Sequence, residues 1–189
     1  GSGSDTGSDL NINAYTDAGG YSHTPIAIAR DTGVVTLGRG QLKFPATQNA
    51  SSDANTLDDY EEGTWTPTVA FGGASVGVTY GSPRSGQYVK VGRFLCVIGA
   101  FVLTSKGSSV GNASLTGLPF SFAEEVAGVP NYCVSTTGIT TGSTTVWAQG
   151  SSIFFRIATT TGAVFTPLTD ANFTNTTTIF FNLQGRASG

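Results

Sequence analysis

Gln87-Tyr88-Val89-Lys90-Val91-Gly92-Arg93-Phe94-Leu95-Cys96-Val97-Ile98-Gly99-Ala100-Phe101-Val102-Leu103 holds two runs of strand-forming residues, Gln87 to Val91 and Phe94 to Leu103. β-branched and aromatic residues suit a pleated backbone, and side chains two apart share a face. The second run is apolar on both faces, unlike Ile153, Phe155 and Ile157, which alternate with Phe154 and Arg156. An antiparallel strand in a lone sandwich keeps one face wet, so the second face of Phe94 to Leu103 is expected to be covered, by a loop or by another subunit. A subunit interface is the preferred reading.

Working outward, similar short runs recur between Gly, Ser, Asn and Pro. They are Thr68 to Phe71, Val76 to Tyr80, Ala113 to Thr116, Tyr132 to Ser135, Thr144 to Ala148, Ile153 to Ala158 and Thr177 to Leu183. Nine such runs predict an all-β fold whose C-terminal part is a β-sandwich of jelly-roll or related topology. Only Phe122-Ala123-Glu124-Glu125-Val126-Ala127, with Gly128 behind it, could make a helical turn. The composition agrees: charged residues are 11% of the chain and glycine is 26 of 189 residues, against about 25% and about 7% in ordinary soluble domains.

Residues 10–62 are thin in large apolar residues. Their clearest feature is Pro25-Ile26-Ala27-Ile28-Ala29-Arg30-Asp31-Thr32-Gly33-Val34-Val35-Thr36-Leu37, read as a hairpin with Ile26 and Ile28 on one face of its first strand and Val35 and Leu37 on one face of its second. A lone hairpin buries too little to offset its ordering entropy, so this slender β shaft segment is expected to associate with copies of itself around an axis. The expected division is a tag or linker remnant at 1–9, the shaft at 10–62 and the sandwich at 63–189. Gly1-Ser2-Gly3-Ser4, in a chain without methionine, reads as a vector scar on an excised C-terminal fragment.

A net charge of −3 and nine scattered Lys and Arg residues argue against a nucleic-acid partner, which needs a basic stripe. No apolar run is long enough for a membrane-spanning helix, so no membrane insertion is expected. Cys96 and Cys133 are too few and too far apart for a metal motif and read as two buried thiols, with an inter-strand disulfide as the alternative. The only histidine, His23, lies in the sparse leading segment, so a Ser-His-Asp or Cys-His nucleophile has no partner in the core. Three copies of His23 around an axis could hold a metal; a solitary packed histidine is the plainer reading. Glycoside hydrolysis needs two carboxyl groups across a cleft, whereas Glu124 and Glu125 are adjacent and Asp170 stands alone. A groove between copies could still bring acids together. No enzyme, cofactor or metal is expected. Among Asp58, Asp59, Glu61 and Glu62 most should face water, while Tyr60 and Trp65 pack inward; a calcium loop lacks its regular spacing and glycine.

Binding remains, and the candidates are aromatic. Trp147 lies on the opposite face of its strand from Val146, and Tyr80 and Tyr88 flank Gly81-Ser82-Pro83-Arg84-Ser85-Gly86, which reads as a turn carrying Arg84. Rings on a rigid sheet suit the C–H faces and hydroxyls of a sugar, with core or subunit packing as the plainer role.

Phe44 to Pro67, containing Leu57-Asp58-Asp59-Tyr60-Glu61-Glu62-Gly63-Thr64-Trp65-Thr66-Pro67, resembles a junction found in phage tail-fibre and tailspike proteins. There it ends a slender shaft and opens a C-terminal β-domain. The resemblance continues through Gly86-Gln87-Tyr88-Val89-Lys90-Val91-Gly92-Arg93, Leu115-Thr116-Gly117-Leu118-Pro119-Phe120 and Ile179-Phe180-Phe181-Asn182-Leu183-Gln184-Gly185. It implies a homotrimer on a virion tail, joined to an upstream fibre shaft and presenting a receptor-binding tip to a host-surface glycan or other receptor. A non-catalytic trimerisation or carbohydrate-binding module of a polysaccharide-depolymerising tailspike is the alternative within that family. A subunit-groove enzyme and a purely structural virion decoration are further alternatives.

Overall fold

The computed structural model describes residues 9–39, 41–49, 51–53, 55–137, 144–157 and 165–188. Gly1 to Ser4 and Ala158, which carry two of the expectations above, lie outside the described residues. The chain divides into two compact units, residues 1–43 and 44–189.

The first unit is a three-stranded antiparallel sheet of β1 (Leu10–Tyr15), β2 (Tyr21–Ile28) and β3 (Val35–Leu37), in that order. The expected hairpin is β2–β3, closed by Ala29 N–H on Val34 O at 2.9 Å, with Gly33 in the left-handed region at φ 69°. Strand β1 was not expected from the sequence; its Leu-Asn-Ile-Asn pattern is short and polar on alternate positions. Register sets Leu10, Ile28 and Val35 in one row and Ile12, Ile26 and Leu37 in the next. Directly paired residues share a face, so all six aliphatic side chains lie on one side of the sheet, with Asn11, Ala27 and Thr36 on the other. None of the described residues of this unit is buried. Leu10, Ile12, Val35 and Leu37 are 46–62% exposed.

The second unit is nearly all β. Its strands are β4 (Tyr60–Trp65), β5 (Thr68–Phe71), β6 (Val78–Val91), β7 (Phe94–Lys106), β8 (Ala113–Thr116), β9 (Phe122–Gly128), β10 (Pro130–Thr136), β11 (Thr144–Gly150), β12 (Ser152–Ile157), β13 (Thr166–Pro167) and β14 (Phe173–Arg186). One antiparallel sheet runs β10-β14-β7-β6-β4. The other runs β5-β8-β12-β11-β9, with β13 beside β12. Their apolar faces meet in one core containing Phe71, Val97, Phe101, Leu115, Ile153, Phe155 and Phe181. Phe101 meets Phe155 edge-on at 6.4 Å, and Phe71 meets Phe173 at 5.2 Å.

Three local expectations are corrected. Val76 to Tyr80 and Gln87 to Val91 are parts of a single strand, β6, and Gly81 to Gly86 is not a turn. Between Tyr80 and Arg84 β6 advances four residues while β7 advances two, from Leu103 to Phe101, so Pro83 is absorbed in a bulge. Phe122 to Ala127 forms β9 rather than a helical turn, because Val126, Ala127 and Gly128 pair with β11. Tyr60 points outward and is exposed, its hydroxyl donating to Glu62 Oε2 at 2.8 Å, whereas Asp59 is buried against Lys90. Trp65 packs inward as expected. Residues 60–62, the end of the expected shaft, pair with β6 as part of β4.

On β7 the inner row Leu95, Val97, Phe101 and Leu103 is buried. The outer row includes exposed Phe94 and Ile98, beside exposed Val89 and Val91 on β6; exposed Tyr132 and Val134 of β10 lie on the same face on the far side of β14. This second apolar face also holds a shallow depression of about 330 Å³ against Ile98, Ala100 and Phe180. Cys96 lies on the outer face and is partly exposed, contrary to the expectation of two buried thiols; Cys133 is buried in the core, and the two are not joined by a disulfide. Burial pushes the Cys133 thiol up from its ordinary value, its hydrogen bond with Thr136 opposing.

Two carboxylates tie loops to this unit. Asp170 Oδ1 accepts the Gly111 N–H at 2.9 Å, and Oδ2 lies 3.5 Å from Lys106 Nζ. The backbone hydrogen bond chiefly, with Lys106 helping and burial opposing, holds this carboxyl below its usual range. Asp58, which accepts the Ser51 N–H at 2.8 Å, is lowered likewise. A carboxyl lowered by folding stabilises fully above its unfolded pKa of about 3.9, and that stability is lost as pH falls through the folded value. Asp170→Asn is therefore expected to melt with a shallower loss between about pH 5 and about pH 2 than the parent chain. Parallel melting curves across that range would discount the linkage.

Candidate functional site

The outer face of the six-stranded sheet carries a cluster of aromatic and charged side chains. It arises from three strands. On β12, Ile153 and Phe155 enter the core, which turns Phe154 and Arg156 outward. On β11, Val146 and Ala148 are buried and Trp147 faces out, as the alternation implies. The register pairs Trp147 with Phe154 on one side and with Ala127 of β9 on the other.

The side chains form a stack. Phe154 lies nearly parallel to the Trp147 indole, with centroids 4.8 Å apart and planes at 27°. Arg156 Cζ sits 5.0 Å from the centre of the indole and 4.3 Å from the centre of the Phe165 ring. Arg156 Nη1 donates to Glu125 Oε1 at 3.0 Å. A guanidinium between two π faces is held electrostatically and sterically. Phe165 is 44% exposed.

The other candidates are engaged differently. Tyr80 and Arg84 come together: Arg84 Cζ is 3.8 Å from the Tyr80 ring centre. The Tyr80 hydroxyl accepts the Val69 N–H at 2.7 Å, while Arg84 donates through Nε to Pro67 O at 2.8 Å and through Nη2 to Thr68 Oγ1 at 2.9 Å. This pair fastens β5 to β6. Tyr88 packs against the core, edge-on to Phe120 at 5.3 Å and across Gly63, where a Cβ would come within 2.9 Å of its ring. The structure thus does not bring these three to Trp147.

Phe154, Arg156, Phe165 and Glu125 were not singled out as site residues from the sequence. The alternation through Ile153 to Ile157 did mark Phe154 and Arg156 as outward. Glu125 had no such signal, because its place depends on β9 lying beside β11. Elsewhere, His23 Nδ1 lies 3.1 Å from Ser22 Oγ. Among the described residues no three His, Cys, Asp or Glu side chains are grouped to hold a metal ion, and no helix is long and apolar enough to cross a membrane. In comparisons with known proteins, no family model and no curated protein matches the chain.

Proposed function

We propose that this chain is the distal part of a phage tail fibre or tailspike, a homotrimeric adhesin whose jelly-roll-like sandwich attaches the virion to a host-surface glycan without catalysis. The observation that carries the reading is the bare aliphatic face of the first unit. Six aliphatic side chains on a three-stranded sheet with no buried residue cannot stabilise it alone. Copies of the same sheet are its best-matched cover, since each brings an equal apolar face and no charge. The second apolar face, around Phe94 and Ile98, supports the same reading independently. Weak contacts at each tip, multiplied by symmetry and by many fibres per particle, give firm attachment. The resemblance of the Leu57 to Pro67 segment to fibre junctions supplies the biological setting.

Sedimentation of the full chain is expected to give three times the 19.4 kDa chain mass. Ile12→Asp combined with Leu37→Asp should shift it towards the single chain, because each buries a charge in the shared face. Labelled chain should adsorb to cells of a susceptible host and be competed by their purified surface glycan. A stable monomer at micromolar concentration would remove the trimeric reading. Adsorption to no host cell would remove the adhesin.

A further inference from the structure

We propose that the corner formed by Trp147, Arg156, Glu125 and Phe165 binds an uncharged pyranose through two neighbouring hydroxyls. This rests on the adhesin reading and deepens it by naming the chemistry of the ligand.

The stack decides how a ligand can approach. Phe154 stacks on the Trp147 indole, and Arg156 lies over both the Trp147 and the Phe165 rings. A sugar therefore meets the rim of the stack and the remaining side of Phe165, rather than lying on the tryptophan. Apolar C–H groups of a pyranose suit those surfaces. The hydrogen-bonding groups at the same place are complementary to hydroxyls. Arg156 uses Nη1 on Glu125; its Nε is buried without a partner among the described residues, which leaves the remaining Nη hydrogens as the donors at this corner. No hydrogen bond among the described residues uses the Trp147 indole N–H. Glu125 is an acceptor only, engaged through Oε1, and its side chain is 47% exposed. Adjacent donor and acceptor groups at hydrogen-bond spacing match neighbouring ring hydroxyls, each of which donates and accepts.

Charge then selects the class. Glu125 cancels the charge of Arg156, and the neighbouring Glu124 lies 3.7 Å from Arg186. The corner has no surplus positive charge to reward a sialate or uronate, and a carboxylate drawn to Arg156 would be set beside Glu125. Arg84 stands apart from these acceptors: its Nε and Nη2 hold Pro67 and Thr68, and its guanidinium lies over Tyr80.

The test uses the full chain over immobilised dextran, mannan and galactan as neutral probes, and over polysialic acid and polygalacturonate as acidic ones. At least one neutral polymer should retain the parent chain and none of the acidic ones should. Glu125→Ala, at an exposed position, should weaken that retention about tenfold, the effect of losing a charge-assisted contact. Arg156→Lys should weaken it similarly, with melting temperatures confirming that both variants fold. Retention on acidic polymers alone, on none of the probes, or on a neutral polymer with both variants unchanged overturns the site. Undiminished adsorption of those variants to host cells would sink the site while leaving the adhesin standing; a parent chain that adsorbs to no cell sinks both.

Discussion

Asp59→Ala is expected to lower the unfolding free energy by about 3–5 kcal/mol, the cost of stranding a buried charge. Asp59 is 0% exposed and Lys90 5%. The two are ion-paired through Asp59 Oδ2, Lys90 Nζ reaches Gln48 Oε1 at 3.5 Å, and the ammonium lies 5.4 Å from the Phe120 ring centre. Asp59 Oδ1 meets no donor among the described residues. Without the carboxylate, Lys90 keeps its desolvation cost and loses the partner that offsets it. The double variant Asp59→Ala with Lys90→Met removes both charges and should be much less destabilised than the single one, because a buried pair contributes little net stability over an apolar replacement. Urea midpoints of the parent, the two single variants and the double variant measure this. An Asp59→Ala loss of under about 1 kcal/mol, the range of an exposed pair, would place the carboxylate in water.

Trp65→Ala should cost about 3–5 kcal/mol, the range for deleting a large buried aromatic side chain. Trp65 ends β4 and is buried. It pairs with Gly86 of β6, which pairs in turn with Gly99 of β7, so two strands present bare backbone where the indole lies. A Cβ at Gly86 would fall within the indole; one at Gly99 would sit 2.5 Å from Cζ of Phe181 and 3.1 Å from Cζ2 of Trp65. The ring meets Phe181 edge-on at 6.3 Å, and its Nε1–H donates to Ile98 O at 3.2 Å. Alanine leaves a cavity over glycines that have no side chain to fill it. Gly86→Val should be destabilising from the other side, by expelling the indole. Equilibrium urea unfolding followed by circular dichroism gives both values, and a Trp65→Ala midpoint close to the parent's would show that the site collapses without loss.

These residues show how far the pattern of the chain reached. Strands β5 and β8 lie where their apolar runs end, Thr68–Phe71 and Ala113–Thr116, because short runs bounded by turn residues carry their own limits. The polar Tyr-Glu-Glu-Gly-Thr of β4 carried no such signal. It is a strand because β6 offers an edge, and an edge strand tolerates charge on its wet side. Strand β6 stays one strand because β7 runs alongside it past Pro83. At the candidate site the outward placement of Trp147 was legible, since Val146 marks the inner face. The guanidinium and ring beside it were not, because Arg156 and Glu125 are separated by 31 positions.

What was written along most of the chain was its β character: side chains alternate with period two, a local property that a segment declares without knowing its neighbours, β1, β4 and β9 being the exceptions. The fate of individual polar and aromatic groups was settled at a distance. Asp59 is a buried ion rather than a solvated turn acid, and Trp147 is the second rung of a stack rather than a bare platform. Both depend on which strand lies alongside and in what register. That choice follows from the packing of two whole sheets, and no short stretch of sequence contains it.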